Sequence, residues 1–94
     1  MIRSFKDKRA ERLARDEFVK AFEPFAAKAK QQLAGVASAT SLRDLAAIRG
    51  NRLEALKGDR AGQHSIRIND QWRTCFVWDN RARCAEQVEI VDYH

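Results

Sequence analysis

The stretch HSIRINDQWRTCFVW, residues 64–78, decides the fold. Its first half alternates, with Ile66 and Ile68 on one face and Ser65, Arg67 and Asn69 on the other, the two-residue period of a half-buried strand. Asn69-Asp70 reads as a turn, because short carboxamide and carboxylate side chains bond their own backbone and tolerate tight geometry. The second half alternates again, placing Trp72, Thr74, Phe76 and Trp78 on one face and Arg73, Cys75 and Val77 on the other. Two alternating runs around a short turn predict a hairpin.

Working outward, DNRAR at 79–83 supplies a second turn and CAEQVEIVDY at 84–93 a third strand, with Val88 and Ile90 sharing a face. Upstream, RLEALKGDRAGQ at 52–63 reads as a short extended stretch and a loop punctuated by glycine. The first half of the chain has the helical period instead. Phe25, Ala29, Leu33 and Val36 form one stripe that can lie across a sheet. Asp7 can cap a helix running from Lys8 to about Phe22, Pro24 breaks or restarts the register, and Ser41 with Asp44 resembles a capping box that carries Leu42, Leu45 and Ile48 inward. Ile2-Arg3-Ser4-Phe5 suits a short opening strand. The expected architecture is α/β of the α+β kind: a mainly antiparallel sheet of three to five strands with the N-terminal helices packed on one face, in a single domain over residues 1–94.

A sheet covered on one side leaves the other wet, and that open face is the candidate site. The chain carries 18 Lys and Arg against 13 Asp and Glu, a net charge of +5, and twelve of the cations are Arg. Guanidinium groups fork onto phosphate oxygens and stack on bases, so nucleic acid is one reading; a merely solvated basic surface is the other. Lys57, Arg60, Arg67 and Arg73 would line one basic surface, and the last strand would bring Asp92, Tyr93 and His94 to its margin. Trp72 and Trp78 share a face with Phe76, which favours core packing over base stacking. No run is apolar enough to span a bilayer, and the charged N-terminus lacks the apolar block of a signal peptide, so a cytoplasmic location is expected. Cys75 and Cys84 are expected as free thiols, with no zinc-binding spacing, no metal and no cofactor.

The ordered set LKGDR, SIRINDQWR and terminal DYH resembles the HigB group of toxins within the RelE/ParE superfamily of toxin-antitoxin systems, over essentially the whole chain. The resemblance implies a RelE-like microdomain that binds the ribosomal A site and cleaves messenger RNA there, arresting translation. It also implies inhibition by a HigA-like helix-turn-helix antitoxin, through which alone operator DNA would be met. Asp92, Tyr93 and His94 match the family's cleavage residues; Lys57, Asp59 and Arg60 match its KGDR loop, and Arg73 the arginine of its WR strand. Glu54 departs, standing where well-known relatives have a catalytic histidine.

RNA brings its own nucleophile, the 2′-hydroxyl, so a metal-independent endoribonuclease needs only alignment, two proton transfers and neutralisation of the phosphate. His94 titrates near neutrality; Tyr93, with an ordinary pKa of about 10, is better as a donor or stacking platform unless cations lower it. Asp92 would orient His94 or activate the hydroxyl, and Glu54 would serve only as a base. Arg73 and Lys57 would contact the phosphate, with Arg60 and Arg67 positioning RNA and Asp59 holding Arg60 or the loop. Two alternatives stay open: a noncatalytic ParE-like toxin acting on DNA gyrase, and a basic binding module without toxicity.

Overall fold

A computed structural model describes residues 1–92; Tyr93 and His94 lie outside the described residues. It is α+β, with three α-helices and a four-stranded antiparallel sheet among those residues: α1 (Lys8–Ala14), α2 (Ala26–Ser38), α3 (Leu42–Ala46), β1 (Glu54–Ala55), β2 (Gln63–Arg67), β3 (Trp72–Asp79) and β4 (Cys84–Asp92), in the spatial order β1-β2-β3-β4. None of these helices is long and apolar enough to cross a membrane.

Asp7 does cap α1, its carboxylate accepting from the Arg9 backbone N–H at 2.9 Å. The helix, however, stops at Ala14 instead of running to Phe22. Asp16 adopts a left-handed backbone (φ 64°), a conformation that aspartate tolerates better than most residues, and the Glu17 N–H folds back to the Arg12 carbonyl at 3.0 Å. The chain re-forms as a 3-10 turn over Lys20–Phe25 with Pro24 inside it. That turn buries Phe22 beneath the Arg9 guanidinium, 5.0 Å from the ring centre, and leaves Phe18 exposed.

The stripe on α2 is real: Ala29, Leu33 and Val36 are buried, and Phe25 packs beside the helix start against Trp72, with ring centres 5.4 Å apart. At α3 the Ser41 hydroxyl accepts from the Asp44 N–H, while the Asp44 carboxylate accepts from the Thr40 N–H and hydroxyl. Leu45 is buried, but Ile48, expected inward, is exposed, since the helix ends at Ala46 and a 3-10 turn over Arg49–Asn51 follows.

The register places Ile66 beside Thr74 and Thr74 beside Ile90, so these residues share the face under the helices. Phe76, Ala85 and Val88 are fully buried in the same cluster, with Trp72 and Trp78 packed against it. Both indoles are therefore core-packing groups. The Asn69 carboxamide accepts from the Gln71 and Trp72 N–H groups at 2.8 Å each and sets the β2–β3 turn. Asp79 does the same for Arg81 and Ala82 in the next.

The opening segment differs from the simple meander. Ile2 and Phe5 bridge Ala85 and Val88 in parallel, and the pairing consists of isolated bridges rather than a ladder. The cause lies in β4, where Gln87 is left-handed (φ 52°), the register slips between Cys75 and Val77, and the Gln87 N–H turns to the Ser4 hydroxyl at 2.9 Å. This is a bulge, an extra residue that bends the strand. Arg3 fastens the segment by forking between Asp79 and Glu86, at 2.6 and 2.7 Å.

Candidate functional site

On the face away from the helices, the register aligns Glu54, Ser65, Cys75 and Glu89 in one row across all four strands, with Arg67, Arg73 and Val91 in the next. The row begins at β1, where the chain arrives through Arg52, left-handed at φ 45°. After β1, Lys57 leads into a 3-10 turn over Gly58–Arg60 whose first residue has φ 63°. Glycine reaches that region without a Cβ penalty. The Leu56 N–H bonds the Gln63 carbonyl at 2.9 Å, so the turn is closed at its base.

This geometry opens a cleft of about 540 Å³ lined by Glu54, Ala55, Leu56, Lys57 and Arg60. Three of the sequence-derived candidates thus line one cavity. Arg73 stands next to it: its Nε donates to the Ser65 hydroxyl at 2.8 Å and its Nη2 to the Arg52 carbonyl at 3.2 Å. Ser65 is also the register partner of Glu54, so the hydroxyl that holds Arg73 sits in the strand directly beside the Glu54 end of the cleft.

The other candidates lie elsewhere. Arg67 is the register partner of Arg73, yet its guanidinium bends to an ion pair with Asp70 in the adjacent turn. Asp92 is the partner of Trp72, which puts it on the helix side of β4's alternation, and its carboxylate accepts from the Gln71 side chain at 2.7 Å. It stands at the sheet margin beside the β2–β3 turn, on the opposite parity from Arg73. Tyr93 and His94 fall outside the described residues. Asp59 is exposed in its turn, and the carboxylate that engages Arg60 is Glu89 instead.

Glu89 is the residue that sequence reasoning missed. Alternation against Val88 and Ile90 would have placed it on the open face, but nothing local says that it is only 8% exposed. Its Oε2 lies 3.4 Å from Arg60 Nη1 and 3.6 Å from Lys6 Nζ. The face is therefore not uniformly basic; it holds a nearly buried carboxylate between two cations. Arg60 Nη1 also donates to the Gln63 side chain at 3.1 Å.

Cys75 lies in the same row, fully buried and unpaired with Cys84. Burial pushes its thiol up to about 11, against the pull of Arg60 and Arg73, so at neutral pH it is a protonated packing group rather than a nucleophile. Burial also lowers the pKa of His64, which faces the helix side, stacked on Phe76 at 6.3 Å between ring centres. Among the described residues no group of three or more His, Cys, Asp or Glu side chains is placed to hold a metal ion.

A small α+β unit with a four-stranded antiparallel sheet and a cleft at its β1 edge lined by Glu54, Lys57 and Arg60 is consistent with a RelE-like toxin. Residues 3–94 match the HigB-like toxin family, described as the RelE-like toxin of the type II toxin-antitoxin system HigB, and the chain belongs to that family. No curated protein matches it closely enough to be named as a relative. Membership in a type II toxin family implies an antitoxin partner.

Proposed function

We propose that the protein is a ribosome-dependent endoribonuclease that cuts messenger RNA in the A site, acts in the cytoplasm as one domain, and is silenced by a HigA-like helix-turn-helix antitoxin. Operator DNA would be reached only through that antitoxin. The observation that carries this reading is the cleft that gathers Glu54, Lys57 and Arg60 beside Arg73 in a chain of this family.

In the reaction the 2′-oxygen attacks the adjacent phosphorus while the bond to the 5′-oxygen breaks, leaving a 2′,3′-cyclic phosphate and a 5′-hydroxyl. One proton leaves the 2′-hydroxyl and one must reach the departing oxygen. Glu54 or His94 takes the first. Tyr93 or His94 supplies the second, with Asp92 orienting the imidazole. Arg73 is pre-aimed by its bonds to Ser65 and Arg52, and with Lys57 it neutralises the charge that builds on the phosphate. Arg60 and Arg67 hold the flanking backbone.

The test expresses the wild type and a Tyr93→Phe/His94→Ala variant and maps 5′ ends of cellular messenger RNA. Cuts at the A site that vanish in the double variant support the reading. Growth arrest without such cuts, accompanied by DNA breaks, would replace it with gyrase inhibition.

A further inference from the structure

We infer that Glu89 is a positioning residue of the cleft, fixing Arg60 and Lys6 over the open face at the expense of affinity for RNA; this rests on the nuclease reading above. A carboxylate on a surface that receives a polyanion repels it, and a carboxylate that is nearly buried also needs partners to offset its lost hydration. Glu89 has both features: its side chain is 11% exposed, whereas those of Arg60 and Lys6 are 30% and 57%. Its presence calls for a use that outweighs the repulsion.

The placement supplies that use. Arg60 ends a short 3-10 turn, an element with little packing of its own, whereas Glu89 sits in the longest strand and is the register partner of Cys75. The ion pair spans the open face, from the β1 side where the turn begins to β4 at the other edge, passing the row of Ser65 and Cys75. Gln63 holds the same Arg60 nitrogen at 3.1 Å, so the guanidinium is fixed from two strands. Lys6 arrives by a third route, because its N–H bonds the Val88 carbonyl at 3.0 Å and the parallel pairing delivers its ammonium to Glu89. A site held by side chains on rigid strands keeps its aim better than one left to a turn. Lys6 thereby joins the cations that RNA would meet.

The experiment compares wild type with Glu89→Gln, which keeps the shape and an acceptor while removing the charge, measuring binding to programmed ribosomes and single-turnover cleavage separately. Turnover should fall about tenfold as Arg60 loses its aim, while binding at low salt tightens and its salt dependence steepens by about one unit of slope. In an Arg60→Ala background the same substitution should leave turnover unchanged. Glu89→Asp, which withdraws the carboxylate but keeps its charge, should lower turnover without tightening binding, and it serves if Glu89→Gln does not fold. Equal turnover in wild type and Glu89→Gln, or a joint loss of binding and turnover, overturns the positioning role and leaves the nuclease reading intact. A wild type that makes no cuts at all overturns the nuclease reading, and the positioning role falls with it.

Discussion

The two faces of the sheet bury residues to the same degree by different means. Under the helices, Ile66, Phe76, Val88 and Ile90 are fully buried against apolar neighbours. One residue along each strand, on the other face, Ser65 and Cys75 are just as inaccessible and Glu89 nearly so. Their polar groups are engaged by long cationic side chains: Arg73 bonded to Ser65, and Arg60 and Lys6 at Glu89. Apolar burial is non-directional and supplies stability. A polar roof is directional, contributes little net stability, and specifies where charges point.

That contrast should fail or hold in three measurements. The largest effect belongs to the helix face: Ile66→Ala should destabilise the fold by about 2–5 kcal/mol in denaturant titration through a cavity that packed helices cannot close, while cleavage per folded molecule stays near wild type. The complementary case is Arg73→Ala on the open face of β3, which removes the bonds to Ser65 and Arg52. Stability should then change by about 1–3 kcal/mol, but cleavage should drop about 100-fold if Arg73 is the donor proposed to face the reacting phosphate. If the two substitutions gave the same ratio of stability loss to activity loss, the division between faces would be wrong.

The smallest effect is a pH slope. His64 sits on the helix side with its pKa lowered by burial, so the unfolded chain, whose imidazole titrates near its ordinary value of about 6.5, takes up a proton more readily than the folded one. Stability should therefore decline as pH falls from 7 through that value and recover above it, and His64→Gln should flatten the slope in thermal melts across pH 5–7. A slope of opposite sign would mean that His64 has a charged partner on the apolar side.

Much of the fold is legible because its signals are local. Alternation in residues 64–78 separates the two faces, Asp7 and Ser41 cap the helices they precede, and the Ala29–Leu33–Val36 stripe faces inward. Where local signals are silent, long-range terms decide. Residues 15–22 are as helix-compatible as residues 8–14, and only the left-handed Asp16 and the burial of Phe22 end α1 early. The period of Ile2–Phe5 says strand but not direction, so its parallel partner could not be read. For the candidate site, the resemblance names Lys57, Arg60 and Arg73 and marks Glu54 as its departure; the fold brings these four together, while Asp92, which the resemblance also names, lies on the opposite parity. It could not show that Arg67 turns to Asp70, a choice made by a three-residue separation, or that Arg60 meets a carboxylate 29 residues away.

The parallel pairing of the opening segment also sets an order of assembly. Residues 2–6 are made long before their partners Ala85 and Val88, which lie in β4, the last of the four described strands in chain order. Contacts so far apart in sequence close late, after the loop entropy of the intervening chain has been overcome. The opening segment and β4 thus act as a zip that cannot shut until β4 has been made. Helices and the β2–β3 hairpin can form on the nascent chain, but the arrangement of Lys6 and Arg60 around Glu89 must wait for β4. A protein proposed to act on translation would acquire this polar face only once β4 has been made and can pair with residues 2–6.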